Sequence, residues 1–80
     1  MSDFLELKQK KAAVTLAETQ SYDLAAERLG LSVSELKTQI DSLESKLCLL
    51  IFELSEGSPL LTQDGQYLVE LFRDALSRHQ

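Results

Sequence analysis

Apolar residues recur along residues 32 to 47 with the period of an α-helix. They stand at i, i+4, i+7 and i+11, as Leu36, Ile40, Leu43 and Leu47. At ~100° per residue this spacing places all four in one narrow stripe. Ser32, followed three residues later by Glu35, forms a capping box that fixes where the helix begins. The pattern therefore predicts a helix that buries this stripe.

The opposite side of the same predicted helix is polar. Most of its side chains carry hydroxyl or carboxylate groups, and lysines stand on its flanks: Ser34, Thr38, Asp41, Ser42 and Ser45, with Lys37 and Lys46. We expect this face to be available to a partner.

A shorter helix precedes it. Ser21 is placed to cap that helix, the small pair Ala25 and Ala26 allows another helix to approach closely, and Gly30 ends it where a positive φ costs little. A short helix, a turn containing glycine and a capped second helix form a helix-turn-helix over residues 21 to 47. The same pattern also fits an ordinary helical hairpin, so the flanking segments have to decide between them.

The flanks predict two further helices and a hairpin. Residues 3 to 19 form a first helix capped by Ser2 or Asp3. The apolar run after Leu47, the turn residues SEGSP and the following Leu60–Leu61 predict a two-stranded hairpin over residues 50 to 62. A last helix over residues 63 to 78 begins after Thr62 as N-cap. The fold class is mainly α.

The last helix carries a wide apolar stripe, composed of Leu68, Leu71, Phe72, Ala75 and Leu76. This is more apolar surface than a small three-helix core requires, so the helix is a candidate dimer contact. Leu5 in the first helix joins that candidate interface, since the first turns of that helix extend past the predicted core. The alternative is that the last helix simply packs on the first.

Length and composition indicate one small domain, residues 1 to 80. A chain of this size buries only about 60 to 65% of its unfolded surface, so a partner subunit would help to stabilise it. No apolar run approaches the ~20 residues of a membrane span, and the N-terminus does not resemble a signal peptide, so we expect a cytoplasmic protein. Cys48 is the single cysteine, and we expect it to be a small buried residue.

The charge balance argues against strong nucleic-acid binding. Eight Lys and Arg residues face thirteen Asp and Glu residues, for a net charge of -5. Affinity for nucleic acid depends largely on neutralising phosphates, and DNA-binding domains usually carry a basic patch. The acidic excess is greatest in residues 49 to 80, and the only basic cluster is formed by Lys8, Lys10 and Lys11.

The sequence offers no catalytic or metal-binding constellation. His79 is the only histidine and lies one residue from the end, so it has no triad or metal partners nearby. Gly30, Gly57 and Gly65 are isolated, which excludes a glycine-rich phosphate loop. We predict that the chain is not an enzyme and needs no cofactor.

Several segments together resemble a known family. The runs AETQSYDLAAERLGLS, IDSLESKL, IFEL and LTQDG are similar, in letters and in spacing, to the N-terminal DNA-binding domain of LysR-type transcriptional regulators. The resemblance covers roughly residues 12 to 70 and implies a winged helix-turn-helix with a short two-stranded wing and a C-terminal linker-type helix. The DNA-binding domain of molybdate-responsive regulators is the next most similar.

The resemblance implies a DNA-binding transcription regulator that forms a homodimer through its first and last helices. Residues 32 to 47 would enter the major groove of double-stranded DNA, and the wing tip would reach the backbone or minor groove. The implied DNA-contacting residues are Ser21, Ser32, Val33, Ser34, Lys37, Thr38, Asp41 and Ser58. In full-length members of this family a ligand-binding domain follows the last helix.

The chain departs from the family pattern where DNA would be touched. Val33–Ser34 replaces the usual Gln-Pro, Lys37–Thr38 replaces Ser-Arg, and Leu54 replaces an Arg in the wing. Cys48 takes the place of a glycine at the end of the recognition helix. These departures and the acidic balance support an alternative, in which the domain is a degenerate winged helix that acts in protein interaction or dimerisation with little or no DNA binding.

Overall fold

The computed structural model describes residues 7–78. The elements follow in the predicted order, α1 Leu7–Thr19, α2 Tyr22–Leu29, α3 Val33–Leu47, β1 Phe52–Ser55, β2 Ser58–Leu61 and α4 Gln63–Ser77. The mainly helical class and the two-stranded wing are therefore confirmed. The predicted start of the first helix, its caps Ser2 and Asp3, and Leu5 lie outside the described residues.

The helix-turn-helix forms because both ends of α2 and the start of α3 have local signals. The Ser21 hydroxyl accepts the backbone N–H of Leu24 at 3.2 Å, and Gly30 ends α2 with a φ of 71°. The Ser32 hydroxyl accepts the Glu35 N–H at 3.0 Å, while the Glu35 carboxylate accepts the Ser32 N–H at 2.9 Å. These bonds complete the predicted capping box and satisfy donors that a helix leaves free.

The core lies where α1 packs against the three other helices. Small residues on α1 and α2 allow the helices to approach closely, while larger residues from α3 and α4 fill the space between them. Its members are Ala12, Ala13, Val14, Leu16, Ala25, Ala26, Leu36, Ile40, Leu43, Ile51, Phe52, Val69 and Phe72. The predicted stripe of α3 is therefore inside, although Leu47 at its end is only half-buried.

The wing is an antiparallel hairpin with a two-residue turn. Phe52 pairs with Leu61 and Ser55 pairs with Ser58. Glu56 and Gly57 between the strands have φ values of 52° and 82°, as a type I′ turn requires. Such a turn matches the twist of the strands, which accounts for a hairpin of only four residues on each side.

A close backbone contact fastens α4 to the base of the wing. The Thr62 N–H donates to the Ile51 carbonyl at 2.9 Å, and the Thr62 hydroxyl caps α4 by accepting the Gly65 N–H at 2.9 Å. A Cβ atom at Gly65 would collide with the Ile51 carbonyl oxygen. Position 65 therefore requires glycine for space.

The expectation that Cys48 is buried is wrong. Cys48 is exposed and follows α3 as its C-cap in the left-handed region, with φ 56° and ψ 34°. A left-handed cap turns the chain out of the last helical turn, so the side chain leaves the surface that α3 buries. The helix ends as it would with the usual glycine, but a residue with a Cβ atom adopts the conformation.

Candidate nucleic-acid interface

The outward face of α3 exposes four of the predicted contact residues: Ser34, Lys37, Thr38 and Asp41. Thr38 also donates its hydroxyl proton to the Ser34 carbonyl, 3.0 Å away, one turn earlier. Its oxygen can still accept a hydrogen bond from a partner. These four residues therefore offer two hydroxyl groups, one ammonium and one carboxylate.

The other predicted contact residues have structural tasks as well. Ser21 and Ser32 use their hydroxyl oxygens as helix caps, which leaves the hydroxyl protons available as donors. Val33 is half-buried and packs against the core. Ser58 is exposed at the wing, across the sheet from Ser55. The structure thus brings Ser34, Lys37, Thr38 and Asp41 together on α3, while Ser58 lies on the wing and Ser21 before α2.

Lys37 lies against an aromatic ring rather than extending freely into solvent. Its Nζ atom is 5.1 Å from the centroid of the Tyr22 ring. Tyr22 is half-buried at the start of α2 and packs against the core. Burial raises the pKa of the Tyr22 phenol, and the negative charges of Glu44 and then Asp41 raise it further. The phenol therefore stays neutral beside the lysine.

Glu44 joins α3 to the wing, a role that the sequence did not predict. Its Oε2 atom accepts the backbone N–H of Ile51 at 2.7 Å and that of Phe52 at 3.1 Å. One carboxylate thus satisfies two donors where the chain enters β1. A glutamate beside a buried leucine, close to a helix end and an extended run, is the only signal in the sequence. That signal does not indicate which backbone N–H groups donate to the Glu44 carboxylate.

Gln9 connects α1 to the same helix and was also missed. Its side chain is 2% exposed, and its Nε2 donates to the Ser42 hydroxyl at 3.1 Å. The Lys46 ammonium donates to the Gln9 Oε1 at 3.2 Å. Lys46 therefore turns toward α1 and not toward the outward face. The bonded residues lie 33 and 37 positions apart in the chain, so no local pattern predicts them.

Three exposed leucines lie in and just before the first strand of the wing. The exposed fractions are 38% for Leu49, 65% for Leu50 and 69% for Leu54. Two concave surfaces that share Asp41 and Glu44 run beside α3, one bordered by Leu54 and the other by Leu49 and Leu50. The side of α3 that meets the wing therefore carries two carboxylates and exposed leucines, with Lys37 as the one cation among the described residues that lines these two surfaces, whereas a DNA backbone would favour more cations.

The candidate dimer stripe on α4 divides between two environments. Phe72 is buried in the core, Leu68 and Leu76 are half-buried against it, and Ala75 is half-buried. Leu71 is 47% exposed. Most of the stripe therefore contacts the chain's own core, and Leu71 is its outward member.

Two other features bear on function. Among residues 7–78, no helix is both long enough and apolar enough to cross a membrane. In the same residues, no group of three or more His, Cys, Asp or Glu side chains is arranged to hold a metal ion.

A helix-turn-helix followed by a two-stranded wing and a closing helix defines the winged helix-turn-helix class. The family model described as the bacterial regulatory helix-turn-helix protein, lysR family, matches residues 7–66. The chain therefore belongs to the LysR family.

Curated relatives agree with this membership. An uncharacterised HTH-type transcriptional regulator of Bacillus subtilis, YcgK, is 35% identical over 72 residues, which are 90% of this chain and 22% of that protein. The HTH-type transcriptional regulator MetR of Haemophilus influenzae is 33% identical over 75 residues, which are 94% of this chain and 24% of that protein. The chain thus spans about a quarter of the length of these relatives.

Solved structures share the fold. A full-length OxyR variant from Pseudomonas aeruginosa superposes with a TM-score of 0.88 at 35% identity, covering 92% of this chain and 25% of that one. The DNA-binding domain of CbnR, solved as a DNA complex, superposes with a TM-score of 0.87 at 30% identity, covering 92% and 85%. That of BenM, solved with benA site 1 DNA, has a TM-score of 0.85 at 28% identity, covering 91% and 82%.

Proposed function

We propose that this domain binds double-stranded DNA as part of a transcription regulator, with α3 in the major groove. The observation that carries the proposal is a capped helix with one face in the core and the opposite face exposed, on a fold shared with domains solved on DNA. Fifteen residues of α3 extend about 22 Å, and a helix of this diameter fits the major groove of B-DNA. As a regulator domain it acts in the cytoplasm and catalyses no reaction.

The outward residues divide by the contacts they can make. Ser34 and Thr38 can bond to either kind of base, Asp41 can accept from the amino group of cytosine, and Lys37 can donate to guanine or phosphate. Ser21 and Ser32 carry hydroxyl protons at helix starts, where phosphates bind well. Val33 is half-buried in the first turn of α3, and Ser58 is exposed on the wing.

The charge distribution predicts modest affinity. Lys37 is the one cation on the outward face of α3 within the described part of the chain, and Asp41 stands one turn away. Each phosphate contact contributes nearly one unit to the slope of log affinity against log salt concentration. We therefore expect a shallow salt dependence and binding that requires low ionic strength.

A titration of the domain with genomic DNA fragments in about 50 mM salt tests this function. DNA-binding proteins bind non-specific DNA with dissociation constants of ~10⁻⁴ to 10⁻⁶ M at physiological salt, and they bind more tightly when the salt concentration is lowered. Thr38→Glu adds a carboxylate to the outward face and should weaken binding by roughly tenfold or more. Gln39→Glu adds the same charge one residue further on, beside Lys8 and Lys11, and should have a much smaller effect. Equal losses in both variants, or no binding by the parent domain at tens of micromolar, would refute the proposal.

We also propose a homodimer through α1 and α4, as the family resemblance implies. Leu71 is the outward member of the α4 stripe, and Leu68, Ala75 and Leu76 beside it are only partly covered. Phe72 supports the contact from within the core, and Leu5 is assigned to it from the sequence. Sedimentation equilibrium should show a dimer that Leu71→Lys dissociates, while Leu24→Lys, at an exposed leucine of α2, leaves it intact. A monomeric parent domain at high concentration would exclude the dimer.

A second candidate function is protein interaction with little DNA binding, and the exposed leucines of the wing support it. Leu54→Arg discriminates between the two. If DNA passes beside the wing, the added cation should strengthen binding and raise the salt slope by about one unit. If the surface serves a protein partner, the variant gains no affinity for DNA.

A further inference from the structure

The Tyr22–Lys37 pair is the feature of the outward face that the proposed function does not yet explain. A cation within about 6 Å of an aromatic centroid is attracted to the face of the ring, and the Lys37 Nζ lies at 5.1 Å. Tyr22 belongs to α2 and Lys37 to α3, so the contact crosses between the two helices of the helix-turn-helix.

Lys37 has an obvious competing partner. Asp41 stands four residues later on α3, at the spacing where lysine and aspartate commonly pair. The ion pairs found among residues 7–78 involve Glu18 and Asp74 instead. The ammonium therefore lies at the ring, and the Asp41 carboxylate stays unpaired on the outward face.

Tyr22 is suited to hold a cation in one place. It follows the capping residue Ser21 directly, so its backbone position is fixed by the start of α2. Its ring is half-buried and packs against the core, which restricts its motion. Because the phenol is neutral, the ring adds no charge to an already acidic domain.

We propose that Tyr22 is a positioning residue for DNA binding: its ring keeps the Lys37 ammonium from forming an ion pair with Asp41 and orients it toward an acceptor on DNA. The acceptor is a phosphate oxygen or the edge of a guanine, which both take a lysine donor. This inference rests on the proposed function. A long lysine side chain loses much rotamer freedom on binding, so a cation that is already oriented binds more strongly.

A double-mutant cycle on the domain tests the proposal, with DNA affinity measured by fluorescence anisotropy at low salt. Tyr22→Leu keeps an apolar side chain for packing and removes the ring, and should weaken binding by about two- to fivefold. Tyr22→Phe keeps the ring and should bind as the parent does. Lys37→Met should weaken binding by roughly tenfold, and Tyr22→Leu added to it should cost nothing more.

The cycle separates positioning from packing. A purely structural Tyr22 would lower affinity by the same factor with or without Lys37, and that additive result would overturn the proposal. An unchanged affinity for Tyr22→Leu alone would also overturn it. Urea unfolding of each variant provides the control, because the comparison uses only variants that remain folded at the assay temperature.

Two further measurements identify the acceptor and keep this inference distinct from the proposed function. If Lys37 meets a phosphate, Lys37→Met reduces the salt slope by about one unit on every sequence. If it meets guanine, the variant loses preference for G·C pairs in a selection from randomised duplexes. Absence of DNA binding by the parent domain would refute the proposed function itself, whereas DNA binding with additive variants refutes only the role of Tyr22.

Discussion

The two faces of α3 differ in how firmly the rest of the molecule holds them. On the inner face, Leu36, Ile40 and Leu43 are buried, and Glu44 bonds to the backbone of the wing. On the outer face, Thr38 bonds only within its own helix, and Lys37 meets one ring. Buried residues and solvent-exposed residues are thus separated onto opposite faces of one helix of fifteen residues.

The largest effect is expected on the inner face. Leu43→Ala removes a side chain with no exposed surface and should lower the free energy of unfolding by about 2 to 5 kcal/mol, because it leaves a cavity in the core. Leu50→Ala, at a leucine that is 65% exposed, is the matched control and should change it by less than about 0.5 kcal/mol. Similar losses in the two variants, measured by urea unfolding, would contradict the division between the faces.

Glu44 should behave as an inner-face residue although it is charged. Glu44→Ala leaves the N–H groups of Ile51 and Phe52 without their acceptor, which should cost about 2 kcal/mol. The control is Glu53→Ala at an exposed position of β1, with a change within about 0.5 kcal/mol. Amide exchange at Ile51 and Phe52 should accelerate in Glu44→Ala only; unchanged exchange would show that the carboxylate does not fasten the wing.

A substitution at the end of α3 should raise the free energy of unfolding instead of lowering it. Cys48 has a φ of 56°, and a left-handed conformation costs a residue with a Cβ atom about 1 kcal/mol more than it costs glycine. Glycine offsets part of this advantage, because it loses more conformational entropy than other residues when the chain folds. Cys48→Gly should therefore raise the free energy of unfolding by up to about 1 kcal/mol. Cys48→Ala keeps the Cβ atom and should not stabilise. Equal stabilisation by both would point to the thiol and not to the backbone.

The smallest effect concerns the capping box at the start of α3. The Ser32 backbone N–H, and then its side chain, hold the pKa of Glu35 below the ordinary 4.5. Because the folded pKa is the lower one, the stabilisation is present above the ordinary pKa and is lost as pH falls through the folded pKa. Carboxyl chemical shifts recorded between about pH 2 and 6 should show this lowered titration. Ser32→Ala removes the side chain but keeps the backbone N–H, so it should move the pKa only part of the way back toward 4.5. An ordinary pKa of Glu35 in the parent domain would contradict the assigned cause.

The elements were predictable because their signals are local. Side-chain hydroxyl groups and one glycine indicate where helices begin and end. The structure has a helix cap at each of the predicted residues, Ser21, Gly30, Ser32 and Thr62. The prediction that Cys48 is buried was wrong because it rested on residue type and not on a local structural signal. Composition favours burial of a lone cysteine, but the geometry of a left-handed cap decides where that side chain points.

The candidate site was only partly predictable. Helical periodicity separates Ser34, Thr38 and Asp41 from the buried stripe, and the structure leaves these three exposed. It does not predict that Tyr22 meets Lys37 or that Gln9 takes Lys46, since these contacts depend on how separate helices pack. Periodicity on α4 likewise could not separate Phe72, which is buried, from Leu71, which is exposed.

The amino-acid sequence alone determined the order of the elements over the described residues, the caps at Ser21, Gly30, Ser32 and Thr62, and the family to which the chain belongs. Caps, turns and apolar periods act over a few residues, so they can be recognised in a linear string. The tertiary structure alone decided which charges stay available, which carboxylate fastens the wing, and which ring receives the lysine. Those outcomes depend on distances between residues far apart in the chain, and only packing brings such residues together.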